Sequence, residues 1–173
     1  MPCVETTPAD PDSTLTSAKI ELKCPIPKVP EVFFKPSQCI NNPSDAVIIP
    51  SSAPEAIDAE VELAVVLGKD CKNADSASAL DYVLGYTVAN DITARDIQAR
   101  VSQWGYAKGY DGFCPLGPTL VSAKAPGLDI NNLKMKTVLD GQVLQDGTSA
   151  QMIFSVAEII TYLSRVSIAP PCY

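Results

Sequence analysis

The stretch Asp58-Ala59-Glu60-Val61-Glu62-Leu63-Ala64-Val65-Val66-Leu67-Gly68 decides the reading of this chain. Laid out as a strand, it puts Glu60 and Glu62 on one face and Val61, Leu63, Val65 and Leu67 on the other. Side chains two residues apart on a strand lie roughly 6.5–7 Å from each other, so ionised carboxylates at the wall of a core repel unless a proton or a cation neutralises them. A hard divalent metal would do so; a sheet-edge strand showing two solvated glutamates to water is the other reading. A third oxygen ligand separates the two. Asp91 is the candidate, in Gly85-Tyr86-Thr87-Val88-Ala89-Asn90-Asp91-Ile92-Thr93-Ala94-Arg95-Asp96, where a short apolar strand runs into the start of a helix. The ordinary alternative for Asp91 is a helix N-terminal residue.

Around this stretch lie 173 residues, 46% of them hydrophobic, which is one domain's worth of chain with enough apolar material for a core. The mean hydropathy of +0.10 is that of a globular protein. The formal charge is −7, from 13 Lys and Arg against 20 Asp and Glu, with no basic cluster, so nucleic acid is excluded as a partner. No apolar run approaches the roughly 18–20 residues of a membrane span, and Met1-Pro2-Cys3-Val4-Glu5 lacks a basic or apolar leader. The expectation is a cytoplasmic protein with no membrane partner. Cys3, Cys24, Cys39, Cys71, Cys114 and Cys172 show no C-x-x-C spacing and read as reduced thiols. The chain contains no histidine, so no mechanism can draw an imidazole from it as base, nucleophile partner or ligand.

Residues 1–30 carry Pro2, Pro8, Pro11, Pro25, Pro27 and Pro30 without periodicity and read as an N-terminal extension. From Glu31-Val32-Phe33-Phe34-Lys35-Pro36 the chain turns to short apolar, strand-forming runs, including Ala46-Val47-Ile48-Ile49, and residues 31–166 are taken as one domain followed by a short tail over 167–173. A helix is expected over Ser76 to Leu84, with Gly85 as its stop, then a buried strand over Tyr86 to Asn90. Another helix should start near Thr93, capped by its hydroxyl, with Ala94, Ile97, Val101 and Trp104 on one stripe and Arg95 and Gln98 on another. Past Lys108 the glycines and prolines predict a loop, with strand returning at Thr119-Leu120-Val121. Asp140-Gly141 between two apolar runs predicts a hairpin, and Ser155-Val156-Ala157-Glu158 a capping box at the head of a last amphipathic helix.

Taken together, these segments resemble the fumarylacetoacetate hydrolase family from about Val32 to Val166. The resemblance is carried by Phe34-Lys35-Pro36-Ser37, Glu60-x-Glu62-Leu63 with Gly68-Lys69, Asp81-Tyr82-Val83-x-Gly85-Tyr86, Asn90-Asp91-x-Thr93-Ala94-Arg95-Asp96-x-Gln98, Pro115-Leu116-Gly117-Pro118 and Met152-Ile153-Phe154-Ser155. It implies a β-rich α+β fold, a mixed β-sandwich roll that is incomplete at the C-terminus here, and a dimer. It also implies Mg²⁺ or Mn²⁺ on Glu60, Glu62 and Asp91, an all-oxygen set that suits hard cations. The family's substrates are 2-oxo acids and 1,3-dicarbonyl compounds, whose enolates a chelated metal stabilises. Lys108 matches the lysine that supports the developing oxyanion. Arg95 and Gln98 match residues at the substrate carboxylate or around the metal, and Lys35 matches a lysine that supports the same site.

The chain also departs from the family pattern. The hydrolases activate water with a His-Glu pair ahead of the Phe34-Lys35-Pro36 region, and no histidine is present. Relatives continue into a further strand and a substrate-binding loop, and Gly109 stands where a serine is usual. Three readings follow: a metal-dependent enzyme doing enolate chemistry such as tautomerisation or decarboxylation; a catalytically inactive relative that binds metal or dimerises with itself or an intact paralogue; and a truncated product.

Overall fold

The computed structural model describes residues 2–3, 26–53 and 55–166, and its organising feature is the pairing of two strands. β5 (Val61–Leu67) and β6 (Val83–Asn90) run antiparallel with Val61 opposite Asn90 and Glu62 opposite Ala89. The backbone N–H of Asp91 donates to the Glu60 carbonyl at 2.9 Å, which carries the ladder one residue further and sets Asp91 across from Glu60. β6, rich in β-branched and aromatic residues, is central: its other edge pairs antiparallel with β8 (Cys114–Ser122), which pairs in parallel with β3 (Ile40–Asn41). Three two-stranded ribbons surround this sheet: β1 (Pro2–Cys3) on β2 (Phe33–Phe34), β4 (Ile57–Asp58) on β7 (Thr93–Ala94), and β9 (Lys134–Leu139) on β10 (Gln142–Thr148).

Among the described residues the helices are few. α1 (Arg95–Gln98) and α2 (Gly105–Lys108) are single turns, and α3 (Val156–Val166) is the long one. Val156 and Ile160 of α3 pack on Val83, Tyr86, Cys71, Ala74 and Ala79 to form the main core. A second cluster of Ala53, Ala94, Ile97 and Ala107 holds α1 and α2 together beside β7. No helix among the described residues is long and apolar enough to cross a membrane.

Two expectations are met closely. Asp140 and Gly141 take φ of 50° and 80°, the positive pair that a type I′ hairpin turn requires, between β9 and β10. Ser155 and Glu158 form the capping box of α3: the Ser155 backbone N–H donates to Glu158 Oε2 at 2.7 Å and the Glu158 N–H donates back to Ser155 Oγ at 3.3 Å. The Ser155 backbone N–H foremost, and then the Ser155 hydroxyl, which donates to the same Oε2 at 2.8 Å, hold the Glu158 carboxyl below its ordinary 4.5. A depressed folded-state value means that the stabilisation is present above the ordinary carboxylate pKa and is lost as pH falls through the lowered one. Glu158→Gln is expected to remove that acid-side slope from thermal melts taken across a pH series.

Four local expectations are corrected. Ser76 to Leu84 is not an α-helix: the Asp75 side chain accepts from the N–H groups of Ala77 and Ser78 at 3.0 and 2.9 Å, diverting the backbone into a turn and a 3₁₀ segment (Ala79–Tyr82) before β6 begins. Gly85 is therefore a strand residue, not a stop. A Cβ there would lie 2.4 Å from the Val121 carbonyl oxygen of the neighbouring strand. Gly85→Ala is expected to push β6 from β8 and cost about 2–3 kcal/mol in a urea melt. The single helix expected from Thr93 to Trp104 gives way to β7 and the single turn α1, with α2 beginning only at Gly105, because Thr93 and Ala94 pair with Asp58 and Ile57 instead. Ala94, Ile97 and Val101 of the expected stripe share one packed cluster, whereas Trp104 packs on Phe33. The loop expected after Lys108 gives way to strand β8 from Cys114, in which Gly117 and Pro118 sit at a register shift against β6 where the missing proline N–H has no ladder bond to make. Finally, Ala46-Val47-Ile48-Ile49 forms no strand, and Ile48 and Ile49 are exposed.

Of the N-terminal extension, residue 1 and residues 4–25 lie outside the described residues, as does the expected tail over 167–173.

Candidate functional site

Antiparallel register assembles the site. With Glu60 facing Asp91 across the ladder and Glu62 two residues along, carboxylate oxygens of all three lie within 4.8 Å of one another, and all three residues are buried. Burial on this scale is costly for three acids unless cations meet them. The chain supplies them. Lys108, at the end of α2 and 0% exposed, places Nζ 2.9 Å from Glu60 Oε2, 2.7 Å from Asp91 Oδ2 and 2.8 Å from Thr93 Oγ1. Lys35, 3% exposed, pairs with Asp91 Oδ1 and donates to the Lys108 backbone carbonyl. One aspartate is thus held by a different lysine at each oxygen. The Lys108 ammonium also lies 5.1 Å from the centre of the Phe33 ring, whose edge meets Trp104.

Arg95 closes the outer side. Its Nε and Nη2 donate to Asp58 Oδ2 at 2.9 and 2.8 Å, Nη2 also pairs with Glu60 Oε1, and Nη1 donates to Gln98 Oε1 at 3.0 Å. Its side chain is 36% exposed and so borders solvent. All seven residues singled out from the sequence are therefore connected: Glu60, Glu62 and Asp91 in the middle, Lys108 and Lys35 on the inner side, Arg95 and Gln98 on the outer. Lys35 lies behind Asp91, where its ammonium supports that carboxylate.

Sequence reading missed three participants. Thr93 is no helix cap; its hydroxyl lies 3.1 Å from Glu60 Oε1 and accepts from Lys108. The Asp91-x-Thr93 spacing, which on an extended chain sends both side chains the same way, was the available signal. Asp58, which anchors Arg95, stood in the quoted strand without a role, and nothing in the sequence pointed to Phe33 beneath Lys108.

Against this geometry, the profile described as "Fumarylacetoacetate (FAA) hydrolase C-terminal" matches residues 3–170. The chain belongs to the fumarylacetoacetate hydrolase family. Among curated relatives, a fumarylacetoacetate hydrolase domain-containing protein 2 homolog of Dictyostelium discoideum is 44% identical over 155 residues, covering 84% of this chain and 50% of its own length. The mitochondrial oxaloacetate tautomerase of Homo sapiens is 42% identical over 147 residues, covering 84% of this chain and 46% of its own. The chain thus spans about half the length of these two fumarylacetoacetate hydrolase family members. Among solved structures, the 5-carboxymethyl-2-hydroxymuconate delta-isomerase of Mycobacterium smegmatis superposes with a TM-score of 0.78 at 35% identity, over 88% of this chain and 59% of that one. The β-rich α+β fold is that of the family.

The donor set fits a hard divalent ion. Oxygens bound to one such ion at about 2.1–2.5 Å stand about 3–5 Å apart, and the 4.8 Å limit on the three carboxylates falls in that range. Carboxylate oxygens alone, with no thiolate or imidazole among them, match the preference of Mg²⁺, Mn²⁺ or Ca²⁺ over zinc.

Proposed function

We propose that this chain performs metal-assisted enolate chemistry on a small 2-oxo acid or 1,3-dicarbonyl compound, with keto–enol tautomerisation of a 2-oxo acid as the reaction it fits best. The observation that carries the reading is the buried acidic triad with the Lys108 ammonium against two of its members. The relatives named above include a tautomerase and an isomerase, in keeping with it. Glu60, Glu62 and Asp91 would hold Mg²⁺ or Mn²⁺, which supplies Lewis-acid stabilisation of a developing enolate. Lys108 donates to the oxyanion, Arg95 and Gln98 meet the substrate carboxylate from the solvent side, and Lys35 keeps Asp91 in place. Tautomerisation moves one proton and consumes no water, so it needs no imidazole to activate a nucleophile. Hydrolysis and decarboxylation are the other members of the same chemical class. The protein is read as cytoplasmic and as a homodimer or a heterodimer with an intact paralogue.

The deciding experiment follows the enol absorbance of oxaloacetate with and without Mg²⁺ or Mn²⁺. Metal-dependent acceleration is the expected result; none in either ion overturns the reading. One observation favours a second reading, a metal-binding or dimerising partner without turnover: the chain's own cations already meet Glu60 and Asp91 of the triad. Calorimetric metal binding with no change in enol absorbance selects it.

Gly109 bears on the same site. A Cβ there would lie 2.3 Å from the Gly105 carbonyl oxygen, inside the turn that presents Lys108. Gly109→Ser, although it installs the residue usual in the family, is expected to shift that turn and lower turnover about 10–100-fold, read from kcat on a variant whose melting transition is intact.

A further inference from the structure

We propose that Lys108 is a resident cation of the acidic triad, closing the space between Glu60 and Asp91 until a divalent ion takes that position, so that metal entry and release of the Lys108 ammonium toward substrate are one coupled event. The inference rests on the metal reading above and concerns how that site is regulated.

Three observations carry it. First, an ammonium has three donors, and Glu60 Oε2, Asp91 Oδ2 and Thr93 Oγ1 receive it at 2.9, 2.7 and 2.8 Å. In this arrangement Lys108 must surrender a bond before it can donate to a substrate oxyanion. Second, Lys108 is 0% exposed, so the surrender requires the side chain to move and not merely to rotate a proton. Third, its ammonium bridges two of the three residues that form the divalent site, so it and an ion seated there draw on the same carboxylates.

Lys35 is the internal comparison. It carries the same charge and meets the same aspartate, but its other bond goes to the Lys108 carbonyl and not to a second carboxylate of the triad. A general electrostatic effect of positive charge on metal affinity would therefore appear in both lysines. Of the two lysines, it is Lys108 that bridges two carboxylates of the triad and so competes directly for that position.

The test is calorimetric titration of Mn²⁺ into the full chain and into Lys108→Met, Lys108→Gln and Lys35→Met, each first shown to melt cooperatively. Lys108→Gln keeps a hydrogen-bond donor and guards against a Lys108→Met protein that does not fold. Both Lys108 variants are expected to bind Mn²⁺ about tenfold tighter or more, which is about 1.4 kcal/mol, with Lys35→Met within about threefold of the unaltered chain. Unchanged or weaker binding in the Lys108 variants overturns the inference and leaves the metal reading standing, as does equal tightening by Lys35→Met. Absence of saturable Mn²⁺ binding in every one of the proteins overturns the metal reading itself, and the inference with it.

Discussion

Glu62→Ala is expected to remove saturable binding of Mg²⁺ or Mn²⁺ and to lower metal-dependent turnover by about a thousandfold or more, while the protein stays folded. The choice of glutamate matters. Glu60 and Asp91 carry the Lys108 ammonium, and Asp91 the Lys35 ammonium as well, so truncating either leaves a buried cation without its partner, a change that typically costs about 3–5 kcal/mol. Those ion pairs survive the loss of Glu62, although it too is buried. What the substitution removes is one of three oxygens that must converge on a single ion. The two carboxylates that remain are both engaged by the Lys108 ammonium, which leaves little to draw a hard cation out of its hydration shell, and the stabilisation of an enolate goes with the ion. Calorimetry and the enol assay on the same preparation check the prediction. Retained metal binding with turnover intact would place the ion elsewhere.

The site was more legible in the sequence than the elements that carry it. Glu60-x-Glu62 stands out because alternation on a strand needs only the identity of two residues and a period of two. The strand, the hairpin at Asp140-Gly141 and the capping box at Ser155 are likewise written within a few residues of themselves, and all three form. The misread elements are those where a distant partner decides. Thr93 and Ala94 have helix-compatible spacing, yet β4 takes them as a strand. Gly85 looks like punctuation until the Val121 carbonyl arrives beside it. Lys108 reads as the start of a loop because Gly109 and Gly112 follow it; the turn of helix that buries it is held by Ala107 packing on Ala53, Ala94 and Ile97, from two separate stretches of chain. That Glu60 faces Asp91 follows from register, which the two strands settle between them and neither encodes alone.

The same convergence makes the site an electrostatic unit in which ligands and counter-ions cannot be altered independently. Glu60 and Asp91 of the triad meet Lys35, Lys108 and Arg95, and Arg95 is shared with the half-exposed Asp58. Each cation therefore acts on the folded state as well as on any chemistry, and a variant's stability with and without metal distinguishes the two.

Lys108→Met makes the distinction sharpest. Methionine matches the length and much of the volume of the lysine stem, so the buried volume is largely kept while the charge, and with it the ammonium's contact with the Phe33 ring, is lost. Without a divalent ion, Glu60 and Asp91 then lose the ammonium between them, and the expected cost is about 3–5 kcal/mol of stability. For a domain of this size that is about 6–20 °C in melting temperature. Added Mn²⁺ binds only the folded chain and is expected to restore part of the loss, with a concentration dependence that follows its dissociation constant. Turnover is not restored. Loss of one donor to an oxyanion typically lowers kcat about 10²–10³-fold, and the metal cannot replace a hydrogen bond aimed at a different atom. Thermal melts across a Mn²⁺ series, paired with kcat from the enol assay, test both halves. A variant that melts like the unaltered chain without metal would show that Lys108 does not neutralise the triad. One that regains turnover with metal would show that it does not act on the substrate.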